Sequence, residues 1–199
     1  MAKRNNKQIK YNADFSVNLA EGFYAVGHSI AKQIHKDTGY FGFIGLAPGV
    51  VNFNLSAELY LKAIHLITLH YAVKGHHLWN LFKNLPVDVK NTIESNYLEN
   101  QKDINKELSS YRIKITKVKE EEEKDSQKSE PTKFNCVKDL LALHNDAFEK
   151  FRYLYEFPSE AGYDYEYNFD EMNAFILALK SYALDLIKKR GKTFGIHKV

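Results

Sequence analysis

Residues 50–73 read VVNFNLSAELYLKAIHLITLHYAV, and most of these positions are apolar. The apolar side chains fall on nearly every side of the helix that this stretch would form. A helix that is apolar around most of its circumference is buried against other elements on most sides. We therefore predict that residues 50–73 form the central helix of the fold.

The segment before the central helix predicts a first helix over residues 13–35. Its apolar residues recur at steps of three and four positions, at Phe15, Leu19, Phe23, Val26, Ile30 and Ile34. Three small residues on this helix would let another helix approach closely: Ala20, Gly27 and Ala31. Glycines and Pro48 interrupt the pattern afterwards, so we predict a loop over residues 36–49.

The rest of the chain predicts further helices. A short helix follows Gly75 and ends before Pro86, because proline cannot continue a helix. Helical spacing returns, less regularly, over residues 87–115, and then again over residues 135–155 and 170–190. We predict an all-α fold, a single-domain bundle of five to six helices.

A tyrosine-rich stretch, EFPSEAGYDYEYNF, occupies residues 156–169. Residues 163–167 alternate as a strand would, but no second strand is predicted to pair with them. Aromatic side chains can stack on single-stranded bases, although the acidic residues of this stretch would repel a phosphate backbone. We therefore predict that it is a loop that covers the core of the bundle.

The net charge of +3 is unevenly distributed along the chain. Nine of the 28 basic residues lie in residues 1–12 and 186–199, which leaves 19 basic against 25 acidic residues between them. Basic ends attract polyanions without sequence preference, or serve only for solubility.

Residues 117–133, KVKEEEEKDSQKSEPTK, have almost no apolar side chains to bury. We predict a basic tail at 1–12, a helical domain at 13–190 with a flexible charged loop at 117–133, and a basic tail at 191–199.

The composition excludes several classes of protein. With 44% hydrophobic residues the chain is not disordered throughout, and its single cysteine, Cys136, cannot form a disulfide framework or a cysteine metal cluster within one chain. No apolar run is long enough to span a membrane, and the N-terminal basic residues are not followed by the apolar segment of a secretory signal. Glycine-rich phosphate loops, zinc motifs and serine elbows are also missing. We expect a cytoplasmic protein without a metal or cofactor.

Four polar residues of the central helix form a stripe at steps of four, four and three positions: Asn54, Glu58, Lys62 and His65. One interpretation is an ordinary exposed stripe with an ion pair between Glu58 and Lys62. The other interpretation is that the stripe faces a cleft or a second subunit and forms the binding site of the protein.

Further candidate residues lie outside the central helix. His144 falls on the apolar face of its predicted helix, where a histidine is either a core residue or part of a site. Arg152 lies two turns further on, and it needs a carboxylate or phosphate partner because arginine keeps its charge; Glu156 is a candidate. His76 and His77 are neighbours, but no third residue is spaced to join them as a metal ligand.

Three segments together resemble the small bacterial HEPN proteins. The first is NLSAELYLKA at residues 54–63, the second is GHHLWNLF at 75–82, followed within three residues by Leu-Pro, and the third is FRYLYE at 151–156. The order of the helices extends the similarity over residues 13–187. The resemblance implies a helical bundle paired as a homodimer in a toxin–antitoxin or phage-defence setting.

Many HEPN domains are metal-independent ribonucleases, in which an arginine and a histidine in the order R-x4–6-H meet at the dimer interface. Arg152 matches the arginine of that motif, but residues 157–159, where its histidine would stand, are Phe, Pro and Ser. Arg190 and His197 have the spacing R-x6-H, but His197 falls in the predicted basic tail. RNA cleavage would still need a group that moves protons. The candidates for such a displaced histidine are His144, His76 and His77.

Three hypotheses for the function follow from these residues. The first is a non-catalytic HEPN-like homodimer that binds RNA, a nucleotide or a partner protein such as an antitoxin. Its binding residues would be Asn54, Glu58, Lys62, His65 and Arg152. The second is a divergent metal-independent ribonuclease that uses Arg152 with a displaced histidine. The third is a dimeric helical scaffold without a ligand, whose polar stripe specifies how the subunits pair.

Overall fold

The computed structural model describes residues 12–36, 40–103, 108, 110–115, 134–152 and 163–190. In chain order its elements are α1 Ala13–Lys36, α2 Tyr40–Leu69, α3 Leu78–Lys83, α4 Val87–Asp103, β1 Ser110–Ile115, α5 Val137–His144, α6 Ala147–Arg152, β2 Tyr163–Asn168 and α7 Phe169–Lys189. The prediction of an all-α helical bundle is confirmed, and a two-stranded ribbon of β1 and β2 is added to it. The described residues do not include the predicted flexible loop at 117–133. Of the two basic tails they include only Asn12.

The centre of the bundle is α2. It packs against α1, α3, α6 and α7, and its fully buried residues include Val50, Phe53, Tyr60 and Ile64. Neighbours on several sides bury the apolar residues that surround this helix. The prediction of a central buried helix is therefore confirmed, but the helix ends at Leu69 rather than at Val73.

Small residues bring α1 close to α2, as the sequence predicts. A Cβ atom on Gly27 would lie 2.6 Å from Cδ2 of Phe53, which is closer than real Cβ contacts. Towards the start of α1, the Ser56 hydroxyl donates a hydrogen bond of 2.8 Å to the Ala20 carbonyl oxygen. A side chain as short as serine reaches the backbone of α1 only because the two helices are in close contact.

Most of the predicted loop over residues 36–49 is wrong, because α2 begins within it and runs through Pro48. The glycine that follows serves packing rather than a turn. A Cβ atom on Gly49 would lie 3.2 Å from the Phe169 ring and 3.3 Å from Ile30. Glycine is therefore present here because α1 and α7 approach the backbone of α2, and this requirement looks the same in the sequence as a turn.

The predicted helix over residues 87–115 is too long, since α4 ends at Asp103 and β1 follows. β1 pairs with β2 in an antiparallel register that begins with Ser110 opposite Asn168. The sequence of β1, SYRIKI, alternates apolar and polar residues, which is the period of a strand. The alternating tyrosines of β2 thus have a partner strand, and the prediction that they have none was wrong.

The predicted helix over residues 135–155 is two helices in the part that the structure describes. α5 ends at His144, and Asn145 and Asp146 form a turn before α6 begins. Asparagine and aspartate favour turns because their side chains bond to nearby backbone groups. Here Asn145 Oδ1 accepts a hydrogen bond of 3.0 Å from the Trp79 amide at the start of α3. The turn thereby joins α5 and α6 to α3.

Candidate functional site

A buried carboxylate on α2 forms the base of the candidate site. Glu58 is only 3% exposed, and its Oε1 accepts a hydrogen bond of 2.6 Å from the Lys62 ammonium, one turn further along α2. His76, in the connection between α2 and α3, places Nδ1 3.0 Å from Oε1 and 3.1 Å from Oε2. A carboxylate that has left water needs such partners. These contacts hold the His76 ring against α2.

His76 and Arg152 contact the same aromatic ring. The His76 imidazole stacks on Phe148 of α6, with 5.9 Å between the ring centroids and 19° between the ring planes. The guanidinium carbon of Arg152 lies 5.7 Å from the centroid of the Phe148 ring, a cation–π distance. Phe148 and Arg152 are four residues apart and therefore share one face of α6. We call Glu58, Lys62, His76, Phe148 and Arg152 the His76 site.

The His76 site opens to solvent above its buried carboxylate. The His76 side chain is 56% exposed, and Arg152 is also exposed. Because Nδ1 of His76 faces the carboxylate, Nδ1 carries the proton of the neutral ring and Nε2 has the free lone pair. Nε2 has no hydrogen-bond partner among the residues that the structure describes. His76 therefore keeps one proton-accepting nitrogen that no described residue occupies.

His77 lies beside this site but has other partners. Its Nδ1 is 3.2 Å from Oδ1 of Asp146 and 3.3 Å from Nδ2 of Asn145. Both partners belong to the turn between α5 and α6. The two histidines thus attach the same connection to two different elements, His76 to α2 and His77 to the α5–α6 turn.

The predicted polar stripe of α2 does not stay together as one site. Asn54, Glu58 and His65 are buried, so the interpretation of an exposed stripe is wrong for these three residues. They face other parts of the same chain. Asn54 Nδ2 donates hydrogen bonds of 2.9 Å to the Val50 carbonyl oxygen and 2.8 Å to the Tyr167 hydroxyl of β2. Asn54 therefore belongs to the core around β2, outside the His76 site.

His65 connects α2 to α3. Its Nε2 donates a hydrogen bond of 2.7 Å to the Leu81 carbonyl oxygen. Burial lowers the pKa of His65, and the hydrogen bond to the carbonyl acts in the opposite direction. The ring is thus a link between two helices and does not reach the His76 site.

His144 lies in the core, as one of its two sequence interpretations predicts. Its ring centroid is 4.6 Å from that of Tyr167, and its Nε2 accepts a long hydrogen bond of 3.4 Å from the Asn168 amide. Burial lowers the pKa of His144 to about 3, because the imidazolium cation would have to leave water. The neutral ring packs on β2, and its aromatic contacts to Tyr167 and Phe134 lie outside the His76 site.

Phe148 is the member of the His76 site that the sequence analysis does not single out as functional. It lies four residues after His144, on the apolar face of the predicted helix. The signal for its role is its spacing of four residues before Arg152. Glu156, the predicted partner of Arg152, lies outside the described residues.

Neither a metal cluster nor a known relative points to a function. In the described part of the chain, no group of three or more His, Cys, Asp or Glu residues is arranged to hold a metal ion. The helices described here include none that is long and apolar enough to cross a membrane. Comparison with known proteins finds no match among family models, curated proteins or solved structures. The His76 site combines an imidazole and an ammonium on one carboxylate with a guanidinium that contacts the same aromatic ring as the imidazole.

Proposed function

We propose that this protein is a cytoplasmic, HEPN-like homodimer that binds a phosphate-bearing ligand, RNA or a nucleotide, at the His76 site in a toxin–antitoxin or phage-defence setting. The observation that carries the proposal is the contact of both His76 and Arg152 with the Phe148 ring. Together with the pair between Lys62 and Glu58, it gathers three side chains that can bear a positive charge. The homodimer and the setting rest on the resemblance to HEPN proteins.

The charge balance of the His76 site favours an anion. Of the five residues that define the site, Lys62 and Arg152 have cationic side chains and Glu58 a carboxylate, so their summed formal charge is about +1 with a neutral His76. The planar guanidinium of Arg152 can donate to two phosphate oxygens at once, and an ammonium such as that of Lys62 acts as a point charge. A phosphate group therefore fits the site better than a neutral or cationic ligand.

We expect Arg152→Ala to weaken the binding of phosphate-bearing ligands by about 1.5–3 kcal/mol, a factor of roughly 10 to 150 in the dissociation constant. The reason is the loss of charge-assisted hydrogen bonds to phosphate oxygens. Arg152→Lys should have an intermediate effect, because lysine keeps the charge without the planar fork. Titrations with a fluorescent single-stranded RNA and, separately, with ATP would measure these affinities and show which ligand is preferred.

Lys188→Ala is the matched control for this prediction. It removes one positive charge from an exposed position on α7, where Lys188 lies 3.7 Å from Asp185, and it should leave the affinity nearly unchanged. Equal affinities of the Arg152→Ala and Lys188→Ala variants would contradict the proposal. If the unaltered protein bound neither RNA nor ATP, the scaffold without a ligand would be the better account.

The contact between Glu58 and His76 favours a second candidate function, metal-independent RNA cleavage. A carboxylate that accepts a hydrogen bond from the Nδ1–H of a histidine fixes its tautomer and leaves Nε2 to accept a proton. In RNA cleavage that proton would come from the 2′-hydroxyl, whose oxygen attacks the neighbouring phosphorus while the 5′-oxygen leaves and takes up a proton. Lys62 and Arg152 would stabilise the negative charge of the phosphorane. His76 would then be the displaced histidine.

If His76 is a general base, the protein should cleave single-stranded RNA in the presence of EDTA, and His76→Ala should lower the rate at least about 100-fold. Glu58→Gln should also lower the rate, because the amide does not hold the Nδ1 proton as a carboxylate does. His77→Ala is the matched control, since this neighbouring histidine contacts Asp146 instead. Gel analysis of a labelled oligonucleotide gives the rates. RNA binding without cleavage above a mock-purified control would reject this second function and leave the first.

A further inference from the structure

The outer face of α1 is uncharged along most of its length. The exposed residues between positions 15 and 33 are Phe15, Asn18, Leu19, Gly22, Ala25, Val26, Ser29 and Gln33. Charged residues make up about a quarter to a third of an ordinary soluble surface, so some would be expected here. Instead, Phe15 is 61%, Leu19 39% and Val26 51% exposed. We call these eight residues the α1 face.

The apolar positions of the α1 face follow the spacing of a helix–helix contact. Phe15, Leu19, Gly22 and Val26 are separated by four, three and four residues, which places them in one line along α1. Such a line is the surface that one other helix covers along its length. On the opposite side, α1 is already packed against α2.

This line of residues is complementary to itself. Its members lie symmetrically about the point between residues 20 and 21, so in an antiparallel pair Phe15 lies opposite the partner's Val26 and Leu19 opposite the partner's Gly22. Each pair joins a larger side chain to a smaller one. No atom of the chain lies within 4 Å of the place where a Cβ atom on Gly22 would be. The Leu19 side chain of the second copy therefore has room beside Gly22. A parallel pair would set glycine against glycine and leave a gap.

We infer that the α1 face is the interface of a homodimer in which two copies pair through antiparallel α1 helices, with the two-fold axis between residues 20 and 21. A two-fold interface uses the same patch on both subunits, which is what the symmetric spacing provides. The inference rests on the homodimer of the proposed function and adds the surface through which it forms.

This interface leaves both His76 sites open to solvent. Phe53 and Ser56 of α2 face α1, whereas Glu58 and Lys62 face the His76 site. At about 100° per residue, the two pairs lie roughly half a turn apart around α2. Each copy therefore completes its own His76 site without a residue from the partner.

Light scattering coupled to gel filtration of the full chain at micromolar concentration tests the inference. We expect the unaltered protein to have twice the chain mass of 23.1 kDa. Leu19→Glu and Val26→Glu should be monomeric, because each buries an unpaired charge in the apolar interface and raises the dissociation constant at least about 100-fold. Val87→Glu is the matched control, since Val87 is 67% exposed at the start of α4, and it should remain dimeric. Circular dichroism checks that every variant keeps its helices.

Disulfide cross-linking tests the antiparallel arrangement. In a Cys136→Ser background, the double variant Phe15→Cys, Val26→Cys should form a covalent dimer on oxidation, because the two positions face each other across the axis. Within one helix they are about 16 Å apart and cannot bond to each other. The single variant Phe15→Cys should not cross-link, and its cross-linking would indicate a parallel pair and overturn the inference.

The outcomes separate this inference from the proposed function. A dimer that persists in Leu19→Glu would overturn the α1 interface and leave the homodimer in place. A monomeric unaltered protein that still binds RNA or ATP would overturn both the interface and the homodimer, but not the ligand site. A dimer that Leu19→Glu dissociates, with no ligand bound in either form, would support the interface and reject the proposed binding function.

Discussion

Replacing Tyr167 by alanine should lower the free energy of unfolding by about 3–5 kcal/mol, the range for truncating a buried aromatic side chain. Tyr167 is fully buried, and its ring centroid lies 4.6 Å from that of His144 and 4.8 Å from that of Phe169. The substitution would leave a cavity where β2 meets the core. It would also remove the hydroxyl that accepts the hydrogen bond of the Asn54 amide.

Two further variants show whether the core position is the cause. Tyr71→Ala removes the same side chain from a position that is 52% exposed, and it should change the free energy of unfolding by about 0.5 kcal/mol or less. Tyr167→Phe removes only the hydroxyl and should cost about 1–3 kcal/mol, since Asn54 loses one of its two acceptors. Urea denaturation followed by circular dichroism gives all three values. Equal losses for Tyr167→Ala and Tyr71→Ala would contradict the packing of β2 described above.

Acidification should destabilise the fold through His144. Burial holds the pKa of this histidine at about 3 in the folded chain, and unfolding returns the pKa to about 6.5. Between these values the unfolded chain binds a proton that the folded chain does not, so the free energy of unfolding falls as the pH falls. The loss begins below about pH 6.5, reaches about 2 kcal/mol at pH 5 and about 4 kcal/mol near pH 3.

The variant His144→Phe isolates this effect. Phenylalanine keeps an aromatic ring between Phe134 and Tyr167 but cannot take up a proton. The difference in unfolding free energy between pH 7 and pH 5 should therefore be smaller by about 2 kcal/mol in the variant, whatever its stability at pH 7. Burial also lowers the pKa of His65, but this residue titrates in both proteins. An unchanged pH dependence in His144→Phe would contradict the assignment.

The bounds of the long helices were predictable because apolar residues recur in them at the spacing of a helix. α1 and α7 lie within a residue of their predicted bounds. α7 buries its apolar side, whereas three residues of the apolar series predicted in α1, Phe15, Leu19 and Val26, are exposed. The errors occur where a residue type has two uses or where the partner is distant. Glycine is typical of turns, but Gly49 lies inside α2, where the Phe169 ring leaves no room for a side chain. β1 was missed because a strand depends on a second strand that local spacing does not contain.

The candidate site was predictable only as separate residues. The sequence singled out Glu58 and Lys62 as part of a polar stripe, His76 as a candidate displaced histidine, and Arg152 as a charge that needs a partner. Their meeting was not predictable, because it depends on the turn at Asn145, which sets the direction of α6 and therefore of Phe148 and Arg152. Asn54, His65 and His144 were candidates by the same reasoning, but the core satisfies their chemistry and they are not in the site.

The pairing of β1 with β2 also bears on the order in which the chain assembles. Ile115 lies opposite Tyr163, so the ribbon closes a loop that contains α5 and α6. Contacts between consecutive helices such as α1 and α2 are local and form early, whereas the strands must first overcome the entropy of closing that loop. This entropy grows only with the logarithm of the loop length. Residues between β1 and α5 can therefore be gained or lost during evolution with little effect on whether the ribbon closes.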